Sequence, residues 1–218
     1  MSSARYGRRR SHALPALTFD DGGASAMRGA DILERHGLRG YFFVTVNYVD
    51  SPGFLTGPEL RELHKRGHVI GSHSCSHPLR MAHCPYTQLL DEWTRSRAAL
   101  VDTLGDNVIA ASVPGGDFAP AVAHAAVAAG FTDLFTSEPL PGSRARFGVT
   151  LHGRFTIRRW TSPRTAAALA GGDWFACARQ RLSWNGKKIG KQLGGGRYLQ
   201  LRKVVLRHGN DVRWGDQR

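Results

Sequence analysis

The chain has 218 residues, of which 41% are hydrophobic and 22% charged, and its net charge at pH 7 is +13. This length and composition fit a globular domain with a full core and exclude a disordered or fibrous chain. The sequence contains no run near the roughly 18 apolar residues of a membrane-spanning helix, and its three widely spaced cysteines favour a reducing compartment over a disulfide framework.

Strand-like and helix-like patterns alternate through the first 160 residues. The predicted strands are Leu14–Phe19, Tyr41–Val46, His68–Gly71, Val108–Val113, Phe131–Phe135 and Arg154–Trp160. The predicted helices are Ala24–His36, Glu59–Arg66, Thr87–Leu104 and Ala119–Ala129. Strands about 25 residues apart with helices between them are typical of βα units around a parallel sheet or barrel.

The pattern changes after Pro163, where helical segments are broken by glycines. We therefore predict a basic N-terminal tail (residues 1–13), a barrel domain (14–162) and a basic, mainly helical C-terminal extension (163–218). Residues 1–140 carry 13 basic and 14 acidic side chains, whereas residues 141–218 carry 17 and 3. Such a surplus attracts nucleic acid, anionic lipid or acidic glycan, although a solvated basic surface explains it equally well.

Chemically active side chains follow three of the predicted strands. Asp20 and Asp21 follow the first, His73 and His77 the third, and a Pro-Gly-Gly turn the fourth. Each motif alone has a simpler interpretation, as a helix cap, as ordinary histidines or as a turn. The carboxyl ends of barrel strands share one face, so these motifs should meet. Two histidines and one carboxylate can bind Zn²⁺ or another divalent ion, which leaves the second carboxylate free to act as a base.

The motif TFDDG, followed about fifty residues later by HSxxH and then by a Pro-Gly loop, resembles the polysaccharide deacetylase family with the NodB-homology domain. The resemblance covers roughly residues 14–160. It implies an α/β fold, a distorted and incomplete (β/α) barrel, and removal of N- or O-acetyl groups from sugar polymers with a divalent metal. The residues that it implies by position are the catalytic base Asp20, the metal ligands Asp21, His73 and His77, the backbone oxyanion donor Gly115, and the substrate-binding residues Pro114 and Gly116.

The sequence departs from the family pattern in its later motifs. Ser112 and Gly115 stand where the family has an arginine, which contacts the base, and an aromatic residue. The role of that arginine is unfilled or passes to Arg154 or Arg158. His152 lies near the expected position of the family's general acid, with different spacing, and is the candidate for that role. Asp117 and Cys75 lie close in sequence to these motifs, and we predict structural roles for both. Asp117 is predicted to cap the next helix, and Cys75 to pack beneath its loop.

The leading hypothesis is a metal-dependent deacetylase that acts on an N-acetylated polysaccharide or lipid-linked glycan precursor, with Zn²⁺ as the favoured metal. The alternatives are an amidohydrolase acting on a non-sugar amide and a catalytically silent domain that binds a glycan or a partner protein. The N-terminal residues lack the apolar core of a signal peptide, so we expect a cytoplasmic protein. Its basic C-terminal third would hold it at the anionic inner membrane face. We expect no specific nucleic acid, because no recognised binding motif is present.

Overall fold

The computed structural model describes residues 16–186, so the N-terminal tail, the start of the first predicted strand and the last part of the C-terminal extension lie outside the described residues. Residues 16–137, together with Gly142–Arg154, form one compact unit. Glu138–Pro141 and residues 155–186 belong to a second unit. The domain boundary near residue 162 stays a prediction.

The first unit is built on one seven-stranded sheet. Its strands are β1 (Leu17–Phe19), β2 (Gly40–Val44), β3 (Val69–Ser72), β4 (Ala110–Ser112), β5 (Asp133–Phe135), β6 (Ser143–Arg146) and β7 (Val149–His152). The strand order is β1-β2-β3-β4-β5-β7-β6, and every neighbouring pair is parallel except β6 and β7. Each strand from β2 to β5 lies beside the strand before it in sequence, so the sheet winds in one direction and curls into a half barrel. The predicted incomplete (β/α) barrel is confirmed.

The helices lie close to their predicted positions. They are α1 (Ser25–Arg35), α2 (Gly57–Lys65), α3 (Tyr86–Leu104) and α4 (Pro120–Ala128) in the first unit, and α5 (Pro163–Ala170) and α6 (174–186) in the second. A capping box between Thr56 and Glu59 starts α2, and Gly105 ends α3 with a φ of 68°. Within residues 16–186, no helix combines the length and the apolar composition needed to cross a bilayer.

The last strand predicted from the sequence is wrong. Residues 154–160 form no strand, and the sheet is completed instead by the β6–β7 hairpin. The hairpin turns at Phe147 and Gly148, whose φ angles are 58° and 80°. A two-residue turn with two positive φ angles normally carries Asn or Asp at its first position, so a phenylalanine there hides the hairpin in the sequence.

A buried tryptophan fixes α3 inside the fold. The Trp93 side chain is fully buried, and its Nε1 donates a hydrogen bond to the Val122 carbonyl oxygen of α4 at 3.2 Å. Its ring packs edge-on against Phe131, with the centroids 5.6 Å apart. A hydrogen bond and a ring contact of Trp93 therefore fix the position of α3, the helix that packs beside the loop after β3.

Candidate active site

The predicted site loops meet at the carboxyl ends of β1, β3 and β4. The end of β2 joins two of them through backbone hydrogen bonds. His73 N–H donates to the Val44 carbonyl at 2.8 Å, and Val46 N–H donates to the Ser74 carbonyl at 3.2 Å. Thr45 N–H donates to the Asp21 carbonyl at 3.4 Å. The parallel sheet thus brings residues more than fifty positions apart to one edge.

Asp21, His73 and His77 form a compact cluster of potential ligands. One ligand atom from each residue lies within 4.8 Å of the others. The Asp21 Oδ1 atom is 3.4 Å from His73 Nε2 and 3.5 Å from His77 Nε2. Asp21 has a φ of 75° and is followed by Gly22 at 80°, so a left-handed turn directs this carboxylate toward the histidines. Asp is one of the few side chains that tolerate this backbone conformation.

The electrostatics of the cluster suit a cation. His73 Nδ1 lies 2.9 Å from the Ser112 carbonyl oxygen, which can only accept, so Nδ1 carries a proton and Nε2 faces Asp21. The hydrogen bond with His73 lowers the pKa of Asp21 and keeps its carboxylate ionised. Burial, followed by the charge of His73, lowers the pKa of His77 and favours its neutral imidazole. The Asp21 carboxylate and the Nε2 atoms of both histidines thus converge on one point, where a divalent cation can bind. The donor set therefore fits a metal.

Asp20 is held beside this cluster by Arg154. Arg154 Nη1 donates to Asp20 Oδ1 at 2.7 Å, and Nη2 donates to Asp20 Oδ2 at 3.0 Å. Arg154 Nη2 also donates to Ser112 Oγ at 2.8 Å, and Ser112 Oγ donates to Asp20 Oδ1 at 3.2 Å. Of the two arginines considered from the sequence, Arg154 contacts the predicted base, whereas the guanidinium of Arg158 lies over the Trp160 ring at 5.6 Å.

The Pro-Gly-Gly turn, Pro114–Gly116, follows β4 after Val113 and is kinked at Gly115. Gly115 and Gly116 have φ angles of 59° and 64°. A Cβ on Gly116 would lie 2.5 Å from the Ser137 Cβ, whereas a Cβ on Gly115 would meet nothing within 4 Å. The turn thus requires glycine on steric grounds at Gly116, while open space surrounds Gly115. The predicted oxyanion and substrate-binding roles of this turn stay predictions.

His152 lies at the end of β7 and is engaged through both ring nitrogens. Its Nδ1 is 2.8 Å from Ser143 Oγ, and its Nε2 is 2.8 Å from Asp133 Oδ1. The ring stacks on Phe135, with the centroids 4.3 Å apart. These partners belong to β5 and β6 rather than to the Asp21 cluster. The general-acid role of His152 stays a prediction, and it requires the ring to release one of these partners.

Two smaller interpretations from the sequence have different outcomes. Asp117 does not cap α4, whose N-cap residue has no side-chain cap. Its Oδ2 accepts a hydrogen bond from Ala82 N–H at 3.3 Å instead, because the turn before α4 packs against the loop after His77. Cys75 packs beneath its loop with 3% of its surface exposed, and its thiol donates to Asn47 Oδ1 at 3.2 Å.

One residue at the site was missed from the sequence altogether. Glu92 lies on the buried face of α3 and accepts hydrogen bonds from the loop that carries the two histidines. The signal was a carboxylate inside the apolar stripe of an otherwise regular helix, at positions Leu89, Glu92, Trp93, Ser96 and Leu100. A charged residue at such a position needs buried partners, which is a reason to look for a polar loop next to it.

The fold and the cluster together define a half-barrel α/β protein with two histidines and a carboxylate at the carboxyl ends of its strands. Residues 8–134 match the polysaccharide deacetylase family. A segment of 66 residues is 42% identical to the peptidoglycan-N-acetylglucosamine deacetylase PgdA of Listeria monocytogenes, covering 29% of this chain and 13% of that protein. The matched segments span between 13% and 23% of the curated relatives' lengths.

Solved structures share the fold. The Streptococcus pyogenes deacetylase PplD in complex with acetate superposes with a TM-score of 0.63 at 21% identity, over 71% of this chain and 69% of that chain. The polysaccharide deacetylase BC0361 from Bacillus cereus superposes with a TM-score of 0.62 at 21% identity, over 71% and 50% of the two chains. The chain belongs to the polysaccharide deacetylase family, whose members are hydrolases acting on carbon–nitrogen bonds.

Proposed function

We propose that this protein is a metal-dependent deacetylase that hydrolyses acetyl groups, N-acetyl groups above all, on a polysaccharide or lipid-linked glycan precursor. One observation carries the proposal: Asp21, His73 and His77 converge within 4.8 Å, with Asp20 adjacent in sequence and fixed by Arg154. A binding domain has no need of a second, oriented carboxylate beside a metal site. Membership of the deacetylase family supports the same reaction class.

The residues that would hold the metal are Asp21, His73 and His77. Three protein ligands leave coordination positions open, as in catalytic rather than structural zinc sites, and the His₂–carboxylate set makes Zn²⁺ the favoured ion. A divalent ion bound there would act as a Lewis acid toward the acetyl carbonyl and would make a water molecule more acidic.

The remaining steps fall to this chain's own side chains. Asp20 accepts the proton of the attacking water, and Arg154 and Ser112 hold its carboxylate in one orientation. The Gly115 N–H donates a hydrogen bond to the oxyanion. The leaving amine must receive a proton, and His152 would supply it only after releasing Ser143 or Asp133. Protonation of the leaving amine is therefore the one step whose candidate side chain is not already free to act, because both ring nitrogens of His152 have hydrogen-bond partners.

The open space around Gly115 bears on the substrate. The aromatic residue that the family has at this position is absent, and a Cβ there would meet nothing within 4 Å. The missing aromatic side chain leaves room for an N-acetylated sugar and equally for a non-sugar amide. A panel of N-acetylated chito-oligosaccharides and simple N-acetyl amides therefore separates the deacetylase from the alternative amidohydrolase.

The deciding experiment combines metal analysis with acetate release. We expect the purified full chain to contain about one equivalent of metal, since residues 16–186 hold one cluster of suitable ligands. We also expect release of acetate from N-acetylated chito-oligosaccharides that stops on chelation and returns with Zn²⁺. Bound metal without acetate release from any sugar would favour the non-sugar amide or the silent domain, and absence of metal would contradict the ligand assignment.

We further propose that the second unit binds an anionic membrane surface on the cytoplasmic side. Trp174, Phe175 and Leu182 on α6 are 79%, 71% and 73% exposed. At about 100° per residue they share one face of the helix, and the exposed Arg179 and Arg181 flank it. Exposed apolar residues bordered by arginines are typical of helices that lie in a membrane interface.

The opposite face of α6 is held within its own unit. Gln180 Nε2 donates to the Thr156 carbonyl at 2.8 Å, and Thr156 N–H donates to Gln180 Oε1 at 2.9 Å. The apolar face is thus kept outward by contacts on the other side of the helix. Residues 141–218 carry 17 basic and 3 acidic side chains, and this excess of positive charge attracts anionic lipid.

Sedimentation with lipid vesicles tests the membrane proposal. We expect the full chain to bind phosphatidylglycerol vesicles and not phosphatidylcholine vesicles. The double variant Phe175→Asp/Leu182→Asp should bind at least about tenfold more weakly, because two apolar anchors are lost. Leu79→Asp is the matched control, since Leu79 is 77% exposed on the first unit. Unchanged binding of the double variant would contradict the proposal.

A further inference from the structure

Glu92 is a buried carboxylate that accepts three hydrogen bonds from the histidine loop, residues 73–77. It is 6% exposed on α3. Its Oε2 accepts hydrogen bonds from the backbone N–H groups of Cys75 and Ser76, both at 2.8 Å. Its Oε1 accepts a third hydrogen bond from Ser76 Oγ. One side chain of α3 thus binds the two residues that lie midway between His73 and His77.

The histidine loop needs such support because its backbone is unusual. Ser74 and His77 have φ angles of 65° and 57°, a left-handed conformation that non-glycine residues rarely adopt. This backbone turns the N–H groups of Cys75 and Ser76 toward α3. Cys75 and Glu92 are buried there, whereas Ser76 is exposed on its other side. A buried donor left without an acceptor would favour rearrangement of the loop.

A second contact from α3 supports the same loop. Ser96, one turn after Glu92 on the same helix face, lies 2.7 Å from Ser72 through their hydroxyl groups. Ser72 Oγ accepts a hydrogen bond from Ser74 N–H at 3.0 Å, and Ser74 Oγ accepts one from His77 N–H at 3.0 Å. This chain of contacts runs from α3 to the backbone of His77 itself. Glu92 contributes the stronger part, because hydrogen bonds to a carboxylate exceed those between neutral groups.

We propose that Glu92 is a positioning residue for the metal ligands: it holds the histidine loop in its ligating conformation before the ion binds. The inference rests on the proposed function, since it concerns the same metal site. Glu92 touches neither the substrate nor the ion. It acts by fixing the backbone on which His73 and His77 stand, and this lowers the cost of ordering the ligands when the metal arrives.

Titration of the metal-free full chain with Co²⁺ tests this role, because the visible absorption of Co²⁺ reports the geometry of its ligands. Glu92→Met keeps the side-chain volume and removes all three hydrogen bonds. We expect it to weaken Co²⁺ binding by about 10- to 100-fold and to change the absorption spectrum. Glu92→Gln keeps an oxygen for the two N–H groups and turns an amide donor toward Ser76 Oγ, so we expect affinity within about threefold of wild type.

Two further variants complete the test. Glu92→Asp keeps the charge but shortens the side chain by one methylene, so it cannot reach both N–H groups, and we expect about a tenfold loss of Co²⁺ affinity. It decides the question if Glu92→Met does not fold. Asp91→Asn is the matched control, since Asp91 is exposed on the same helix and pairs with Arg95 at 3.2 Å. A purely structural role would lower the thermal stability of these variants and leave the spectrum unchanged.

The outcomes separate this role from the proposed function. Unchanged Co²⁺ affinity and spectrum in both Glu92→Met and Glu92→Asp, with normal binding by the wild type, would overturn the role of Glu92 alone. A wild type that binds no Co²⁺ would overturn the metal site and this role together. A wild type that binds Co²⁺ but releases no acetate would overturn the deacetylase activity, and the Co²⁺ titrations would still decide the role of Glu92.

Discussion

Replacement of Asp20 by asparagine is expected to lower the rate of acetate release by about 10²–10⁴-fold, the usual contribution of a general base. Asparagine has nearly the same shape as aspartate, and its oxygen can still accept hydrogen bonds from Arg154 Nη1 and Ser112 Oγ. Only the bond from Arg154 Nη2 is lost, because an amide nitrogen cannot accept it. Asparagine cannot take a proton from water. Steady-state rates at saturating N-acetylated chito-oligosaccharide measure the loss in kcat.

The metal content of the same variant is the internal control. Asp20 is not a member of the Asp21 cluster, so Asp20→Asn should retain the metal of the wild type. Asp91→Asn removes an exposed carboxylate that is likewise paired with an arginine, and it should leave the rate unchanged. An Asp20→Asn enzyme with more than about a tenth of the wild-type kcat would rule out Asp20 as the base.

Replacement of Arg154 by alanine should reduce kcat by about 10- to 100-fold without loss of metal. Arg154 donates to both oxygens of Asp20 and is only 12% exposed, so its removal frees the carboxylate to rotate. Loss of a partner that orients a reacting group typically has this effect. Arg154→Lys should recover little of the rate, because an ammonium group cannot replace the bidentate contact.

An arginine at position 112 should restore part of the activity that Arg154→Ala loses. Ser112 stands where the family has its arginine. Its Oγ lies 2.8 Å from Arg154 Nη2, so a longer side chain at position 112 could enter the volume that Arg154→Ala leaves empty. We expect Ser112→Arg/Arg154→Ala to be at least about tenfold faster than Arg154→Ala alone, a coupling that a double-mutant cycle would quantify. Arg158→Ala is the control and should retain the wild-type rate. Full activity in Arg154→Ala would contradict this role of the arginine.

The sequence predicted the features that depend on local pattern. Alternating strands and helices predicted βα units around a parallel sheet or barrel, and the resemblance to the deacetylase family implied its incomplete form. The carboxyl ends of the parallel strands bring the two histidines and a carboxylate together as predicted, and the resemblance had implied that this carboxylate is Asp21. The β6–β7 hairpin escaped detection because Phe147 occupies a turn position that normally carries Asn or Asp. The partner of Asp20 was left open between Arg154 and Arg158, since only the three-dimensional path after β7 decides which one reaches the carboxylate. Glu92 was missed because burial of a helical carboxylate depends on a loop sixteen residues away.

The left-handed backbone at Asp21 limits how this centre can be altered. Its φ of 75° is accessible to Asp, Asn and Gly, and it is costly for the longer or branched side chains that also ligate metals. Exchange of this ligand for Glu would therefore strain the chain before it changed the coordination chemistry. His77 lies under a similar backbone restriction at a φ of 57°, a conformation that His tolerates better than β-branched or bulky side chains do. The backbone thus limits the choice of side chain at two of the three ligand positions, and His73 is the one that carries no such restriction.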